Sequence, residues 1–367
     1  MKILHIGTFP FPSPQGSQVY VQGILNGLIQ RGHDVSLLCY GHGRGKEPKG
    51  VRIIRTPNIP FYQNMRAGPD VIKPLLDAVM VPLLLRERPD IVHVHNYEAP
   101  LVARLAALFR RHHIPMVYSA HNTMEEELPT YFSGETRKKL LARCGRLLDR
   151  TVPQLAQHCI VLSEVGRERL QKLGCSAISL IPPGVDEAEF ENITPQLLPE
   201  GRWVIYAGNP DHYQDLDILM KAMEYLPDVG LVLVSAAETK QWRRKENEPI
   251  VHIQTSNFTE VCGYLQAAHI GVLPRVSCSG FPIKIMNYLA MGLPVVCSEG
   301  SKIEAPGVFS VPNYEPERMA NTIRRLLSNE SRRKEIGEQG RKYIFMEYSW
   351  ERQAQRLEEV YLKLLKR

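Results

Sequence analysis

Between Ser279 and Ser298 the chain reads SGFPIKIMNYLAMGLPVVCS, and Lys284 stands where the first turn of a helix is expected. A cation there meets the positive end of the helix dipole, so it calls for a compensating anion. The unpaired backbone N–H groups of such a helix start, those of Gly280 and Phe281 among them, favour the same kind of ligand, a phosphate. Helical spacing puts Phe281, Ile285 and Leu289 near one face, with Lys284, Asn287 and Tyr288 flanking it at the mouth of the expected site. An ordinary helix–strand unit would account for the apolar residues but not for the lysine and the amide together.

Other groups with chemical potential are less specific. His93 and His95 sit on the apolar strand DIVHVH and are read as pointing to opposite faces, a poor chelating pair. Asp215-Leu216-Asp217, the one Asp-x-Asp sequence, falls at a helix start, where acids serve capping and the dipole, so no metal is expected. Glu125, Glu126 and Glu127 follow His121 on one turn, and a solvated helix start is their ordinary reading. Gly41, Gly43 and Gly45 suggest a phosphate loop but lack its Gly-Lys-Ser/Thr ending, and a mobile surface loop is expected there.

The elements that must position these groups alternate regularly. KILHIG, DVSLLCY, VRIIRT, DIVHVH, PMVYSA, HCIVLS and AISLI read as strands with helices between them, and after Pro182-Pro183-Gly184 the pattern restarts with WVIYAGN. That second series includes a helix through Trp242. Such alternation means an α/β fold of doubly wound parallel sheets, here twice over. The expected domains are residues 1–183, residues 184–345, and a C-terminal helix, 346–367, packing back toward the first. Ligands bind beyond the carboxyl ends of such strands. This selects the loops Thr8 to Ser17, His93 to Asn96, Ala120 to Asn122, Gly208 to Gln214, and Arg275 to Lys284.

Composition narrows the class. The 367 residues are 44% hydrophobic and 23% charged, which suits two globular domains. Seven cysteines, odd in number and never spaced Cys-x-x-Cys, suggest reduced thiols, and a strand beginning at Lys2 leaves no room for a signal peptide. A cytoplasmic protein, working at a membrane surface if anywhere outside solution, is the expectation. Residues 1–185 hold 23 Lys and Arg against 14 Asp and Glu, while the remainder holds 22 against 25. The basic clusters, from Arg110 to His113 and from Glu135 to Arg150, point to an anionic partner. Nucleic acid is disfavoured because no basic strip is interleaved with aromatic residues.

The pieces PSPQGSQVYVQGILNGLIQRGHDV, DIVHVHN, AHNTMEEELPTY, PPGVD, YAGN followed by YQDLDILMKAM, and SGFPIKIMNYLAMGLPVV resemble, in this order, the retaining glycosyltransferases of family 4. The resemblance covers nearly the whole chain and implies the GT-B architecture, two Rossmann-like domains with a nucleotide sugar in the cleft. It implies that Gly16 lets the N-terminal loop approach the donor and that His121 bonds the transferred sugar. The family's usual Arg and Lys on the diphosphate are here Asn209 and Gln214, beside Gly208. Its usual pair of Glu residues, eight positions apart, is here Ser279 and Asn287. Lys284, with the N–H groups of Gly280 and Phe281, is the nearest replacement for the lost cations, and Arg275 is a second.

The implied reaction moves a sugar from a nucleotide diphosphate, uridine being the favoured base, to a glycan, lipid-linked or small-molecule hydroxyl with retention. It needs no cofactor beyond the nucleotide sugar. Two rivals fit the same residues: a nucleotide-sugar epimerase, and a nucleotide-sugar-binding partner of another transferase.

Overall fold

The computed structural model describes every residue except 14, 66, 67, 111, 240, 243–248, 278, 279 and 367. The chain forms two compact units, Met1–Gly184 with Trp350–Arg367, and Val185–Ser349.

The first unit is built on a parallel sheet of β1 (Lys2–Gly7), β2 (Asp34–Cys39), β3 (Arg52–Arg55), β4 (Ile91–His95), β5 (Met116–Ala120), β6 (His158–Val161) and β7 (Ile178–Leu180). Their order is β3-β2-β1-β4-β5-β6-β7. The second sheet runs β10-β9-β8-β11-β12-β13. Its strands are β8 (Arg202–Ala207), β9 (Val229–Ser235), β10 (Ile250–Gln254), β11 (Ile270–Leu273), β12 (Val295–Ser298) and β13 (Val308–Val311). In each sheet the winding direction reverses once, between β1 and β4 and between β8 and β11. A reversal leaves a crevice past the carboxyl ends of the two strands, because the flanking connections leave in opposite directions. Thr8 and Asn96 follow one such pair, Gly208 and Arg275 the other.

The central strands are buried on both faces, which is why they read as near-continuous apolar runs. The strand Val308–Val311 gave no such run, since Ser310 is exposed and Val308 and Phe309 are only half-buried. The helix Trp350–Leu365 belongs to the first unit and lies on the helix Gly16–Gln30. Small residues set that approach: a Cβ on Gly23 would fall 2.2 Å from the Trp350 ring, and one on Gly27 2.7 Å from Ala354.

Two local expectations change. The segment after β2 is not a mobile surface loop throughout: His42 is buried, its carbonyl accepts from Phe11 N at 3.2 Å, and Arg44 N donates to Pro12 O at 2.7 Å. Gly43 belongs there because a Cβ would lie 2.2 Å from the Phe11 carbonyl oxygen. The expected helix through Trp242 falls largely on 243–248, outside the described residues.

Candidate functional site

In the second unit the expected helix spans Ile283–Ala290, and Lys284 stands in its first turn. The Lys284 ammonium donates to Gln214 Oε1 at 2.7 Å and to Tyr206 Oη at 2.9 Å, and lies 4.8 Å from the centre of the Tyr206 ring. Tyr206 Oη in turn donates to the Asn209 carbonyl at 2.9 Å. Gly208 makes this arrangement possible, because a Cβ there would sit 2.2 Å from Lys284 Cε, and its φ of +143° suits glycine alone. Tyr206 of β8 and Gln214 beyond the turn after it thus hold the Lys284 cation at the carboxyl edge of the sheet. The neutral Gln214 serves as the lysine's acceptor.

The neighbouring loop is tethered. Asp215 adopts a left-handed conformation, φ +54°, and its Oδ2 accepts from Val276 N at 3.0 Å. This revises the reading of Asp215 as a helix cap: no side-chain capping bond forms, and the carboxylate anchors the segment after β11 instead. The Arg275 guanidinium lies 4.9 Å over the Tyr213 ring, and its Nε donates to Ser277 O at 2.5 Å. Gly280 is buried, Phe281 packs 5.8 Å from Tyr348, and Asn287 is half-buried three residues beyond Lys284. Asn209 accepts from Ser235 Oγ at 3.3 Å. Ser279 lies outside the described residues. Tyr288 is not at the mouth: it is 1% exposed, and its hydroxyl accepts from Ala207 N at 2.9 Å.

In the first unit, a pocket past β1, β4 and β5 is lined by Thr8, Glu98, Asn122, Glu127 and Tyr131, with His121 in its wall. Gly16, also of this unit, is the exposed first residue of the helix Gly16–Gln30. Glu98 went unnoticed in the sequence, where NYEAP looks like an ordinary strand-to-helix turn. Its carboxylate accepts from Thr8 Oγ1 at 3.2 Å, and burial, reinforced by Asp77, pushes its pKa up to about 7. A carboxyl poised near neutrality in a pocket is a functional-site signal. A larger cavity, about 1090 Å³, opens near Asp90, His113 and Pro115 at the amino ends of the strands, away from these groups.

The three glutamates are not merely a solvated helix start. Glu125 pairs with Arg146 at 3.1 Å, Glu126 with Arg169, and Glu127 accepts from Tyr131 Oη and, at 3.1 Å, from Asn122. Asp149 caps their short helix by accepting from Met124 N at 2.8 Å and Glu125 N at 2.9 Å. The helix Glu135–Thr151 therefore supports the His121 segment from one side and exposes basic residues, with Leu140 and Leu147 each 61% exposed, on the other.

His93 and His95 correct the strand reading outright. Residues two apart on a strand share a face, and their rings stack with centroids 4.5 Å apart, beside His5 on β1. The three ring sets lie within reach of one ion. Yet His93 is already held by Tyr361 Oη at 2.5 Å and Ser119 Oγ at 2.8 Å, and His5 Nδ1 lies 2.9 Å from His95 Nε2. Hydrogen bonds thus already engage both nitrogens of His93 and the facing nitrogens of His5 and His95.

Comparison with known proteins bears on the family and the fold. The model described as Glycosyltransferase Family 4 matches residues 14–189, and that described as Glycosyl transferases group 1 matches 201–329. A phosphatidyl-myo-inositol mannosyltransferase of Mycobacterium tuberculosis is 25% identical over 317 residues, 82% of this chain and 78% of that protein. A D-inositol 3-phosphate glycosyltransferase of Xylanimonas cellulosilytica is 22% identical over 412 aligned positions, covering 100% and 97%. Among solved structures, sucrose-phosphate synthase from Thermosynechococcus elongatus superposes with a TM-score of 0.79 at 17% identity, covering both chains fully. With one family model on each unit and the same two-sheet topology, the chain belongs to the GT-B glycosyltransferases of family 4.

Proposed function

We propose that the protein transfers a sugar from a nucleotide diphosphate sugar, with uridine as the base, to a hydroxyl acceptor, with retention at the anomeric carbon and without a metal ion. The observation that carries this reading is the Lys284 ammonium, held by Gln214 and Tyr206 at the carboxyl edge of the second sheet. There it stabilises the charge that develops on a departing diphosphate. Gly208, Asn209, Arg275, Ser279, Gly280 and Phe281 complete the donor surface, and Asn287 bonds the ribose. In the first unit Gly16 and His121 serve the transferred sugar. The test is a panel of nucleotide sugars assayed for released nucleotide with and without hydroxyl acceptors. Acceptor-dependent release supports transfer; donor conversion without acceptor supports an epimerase, and binding without turnover a regulatory partner.

The acceptor belongs to the pocket of Glu98. The names of two relatives specify inositol-containing acceptors, and a polyhydroxylated ring suits a pocket with carboxylates and tyrosines. Glu98 orients the attacking hydroxyl by accepting its hydrogen bond, which only the ionised carboxylate does fully. With its pKa raised to about 7, Glu98 loses its proton as pH rises through neutrality. The expected kcat/KM for acceptor therefore climbs about 10-fold between roughly pH 6 and 8. Glu98→Gln should flatten that limb; an unchanged pH profile would remove Glu98 from this role.

A lipid-linked acceptor fits the exposed basic helix Glu135–Thr151, and no helix among the described residues is long and apolar enough to cross a membrane. Peripheral attachment through this helix should be salt-sensitive, and equal pelleting with neutral and anionic vesicles at low salt would argue against it.

A further inference from the structure

The cavity of about 1090 Å³ at the amino ends of the first sheet's strands lies on the opposite edge from the pocket of Glu98. Its wall brings together two guanidiniums, Arg88 and Arg110, and two imidazoles, His112 and His113. Sugar transfer as proposed above uses none of them. Arg110 Nη2 donates to the carbonyls of Leu84 and, at 2.9 Å, of Glu87, just past the helix Lys73–Leu85. Its Nε and Nη1 have no partner among the described residues, and burial works against its charge. Arg88 and His112 are exposed and likewise without a partner among the described residues.

The acceptors of this wall are already committed. Glu87 is held by both Nη atoms of Arg52, at 3.0 Å through Oε1 and also through Oε2. That leaves Asp90, whose Oδ2 accepts from the Lys2 backbone N–H at 2.7 Å, as the uncompensated acid against the two guanidiniums. Gln157 Oε1 accepts from Met116 N at 2.7 Å, which turns its amide nitrogen to His113 Nε2, 3.1 Å away. His113 Nε2 is therefore an acceptor, and the neutral ring carries its proton on Nδ1, a further donor.

The rest of the lining is apolar. Leu85, Ile114, Leu364 and Leu365 contribute, with Leu85 37% and Leu365 40% exposed. A second cavity of about 280 Å³ shares Arg110, His113, Ile114 and Gln157 with the first. Leu84, Val92, Ala103 and Met116 line its far side, so hydrocarbon continues past the cations into the unit. A mostly apolar recess with a few placed polar groups is the usual form of a small-molecule site, and arginine suits a phosphate or carboxylate head.

We propose that this edge of the first unit binds an amphipathic anion, with its phosphate or carboxylate head between Arg88, Arg110 and His113 and its hydrocarbon chain against Leu85, Leu364 and Leu365. The site is separate from the pocket of Glu98 and from the donor surface, so it holds whatever the transferred sugar proves to be.

The test is calorimetric titration of the full-length protein with decyl phosphate below its micelle concentration. The expected result is one saturable site, with inorganic phosphate binding at least about 100-fold more weakly for want of buried methylenes. Arg88→Glu should weaken decyl phosphate about 10-fold by reversing a charge beside the head. Leu365→Asp should do the same by setting a carboxylate against the chain, about 10-fold again; if that variant does not fold, Arg88→Glu, an exposed position, decides. Absence of saturable binding, equal affinity for decyl maltoside, or unchanged affinity in folded Arg88→Glu overturns the proposal. Displacement by uridine or guanosine diphosphate overturns it too, because the probe would then occupy the donor surface. Sedimentation with phosphatidylcholine vesicles containing phosphatidic acid identifies the source of the anion, since the helix Glu135–Thr151 is intact in Arg88→Glu. Pelleting that falls in this variant along with decyl phosphate affinity supports the site with a bilayer lipid as its ligand. Unchanged pelleting with lost decyl phosphate affinity supports it with a soluble amphiphile.

Discussion

Lys284→Ala is expected to lower kcat by about 10²- to 10³-fold, the usual loss when one stabiliser of a developing anion is removed. The ammonium is held ready by Tyr206 and Gln214, so it need not reorganise as the diphosphate leaves. Affinity for the free nucleoside diphosphate should fall less, by about 10-fold, because the nucleotide keeps its other contacts in the ground state. Lys284→Arg should not restore turnover: the stem passes 2.2 Å from where a Gly208 Cβ would be, and a planar guanidinium is wider than an ammonium. Steady-state kinetics with nucleotide titration by calorimetry check both effects. Unchanged turnover in a folded Lys284→Ala protein would end the assignment.

The second large effect is on stability. β11 pairs with β8 only as far as Ile205, so the Ala207 N–H lies past the last rung, and the Tyr288 hydroxyl takes it at 2.9 Å. The Tyr288 ring also fills space left by Gly271, where a Cβ would approach it to 2.5 Å. Tyr288→Ala should cost about 3–5 kcal/mol through the cavity it leaves. Tyr288→Phe should cost about 1–3 kcal/mol, because the buried Ala207 N–H then has no acceptor. Urea midpoints measure both, and nucleotide affinity of the folded Phe variant should match that of the parent. Weakened nucleotide binding at unchanged stability would return Tyr288 to the mouth of the site.

Tyr288 also shows where sequence reasoning stops. Helical spacing correctly put Lys284, Asn287 and Tyr288 close together, but one residue of rotation separates a half-buried position from a core position. Only the packing of the helix against β8 and β11 decides which side the tyrosine takes. Asp215 is similar. Its place before a helix suggested a cap, whereas its carboxylate reaches a backbone amide sixty-one residues away. The misplaced faces of His93 and His95 differ in kind, for a period of two already requires a shared face.

By itself the sequence determined the architecture and the family. Strand–helix alternation, its restart after Pro182-Pro183-Gly184 and the motif order are local properties, legible because a doubly buried strand must be apolar along its length. The sequence also singled out Lys284, Gln214, Gly208 and His121, since charge at a helix start and residues past strand ends are local signals too. Only the tertiary structure decided their partners. Glu98 became a poised carboxyl through burial beneath other elements, and Lys284 found its acceptor seventy residues away. The histidines of β1 and β4 came to stack because the sheet places those two strands side by side. Desolvation and long-range hydrogen bonds depend on what the fold brings together, and no spacing along the chain encodes them.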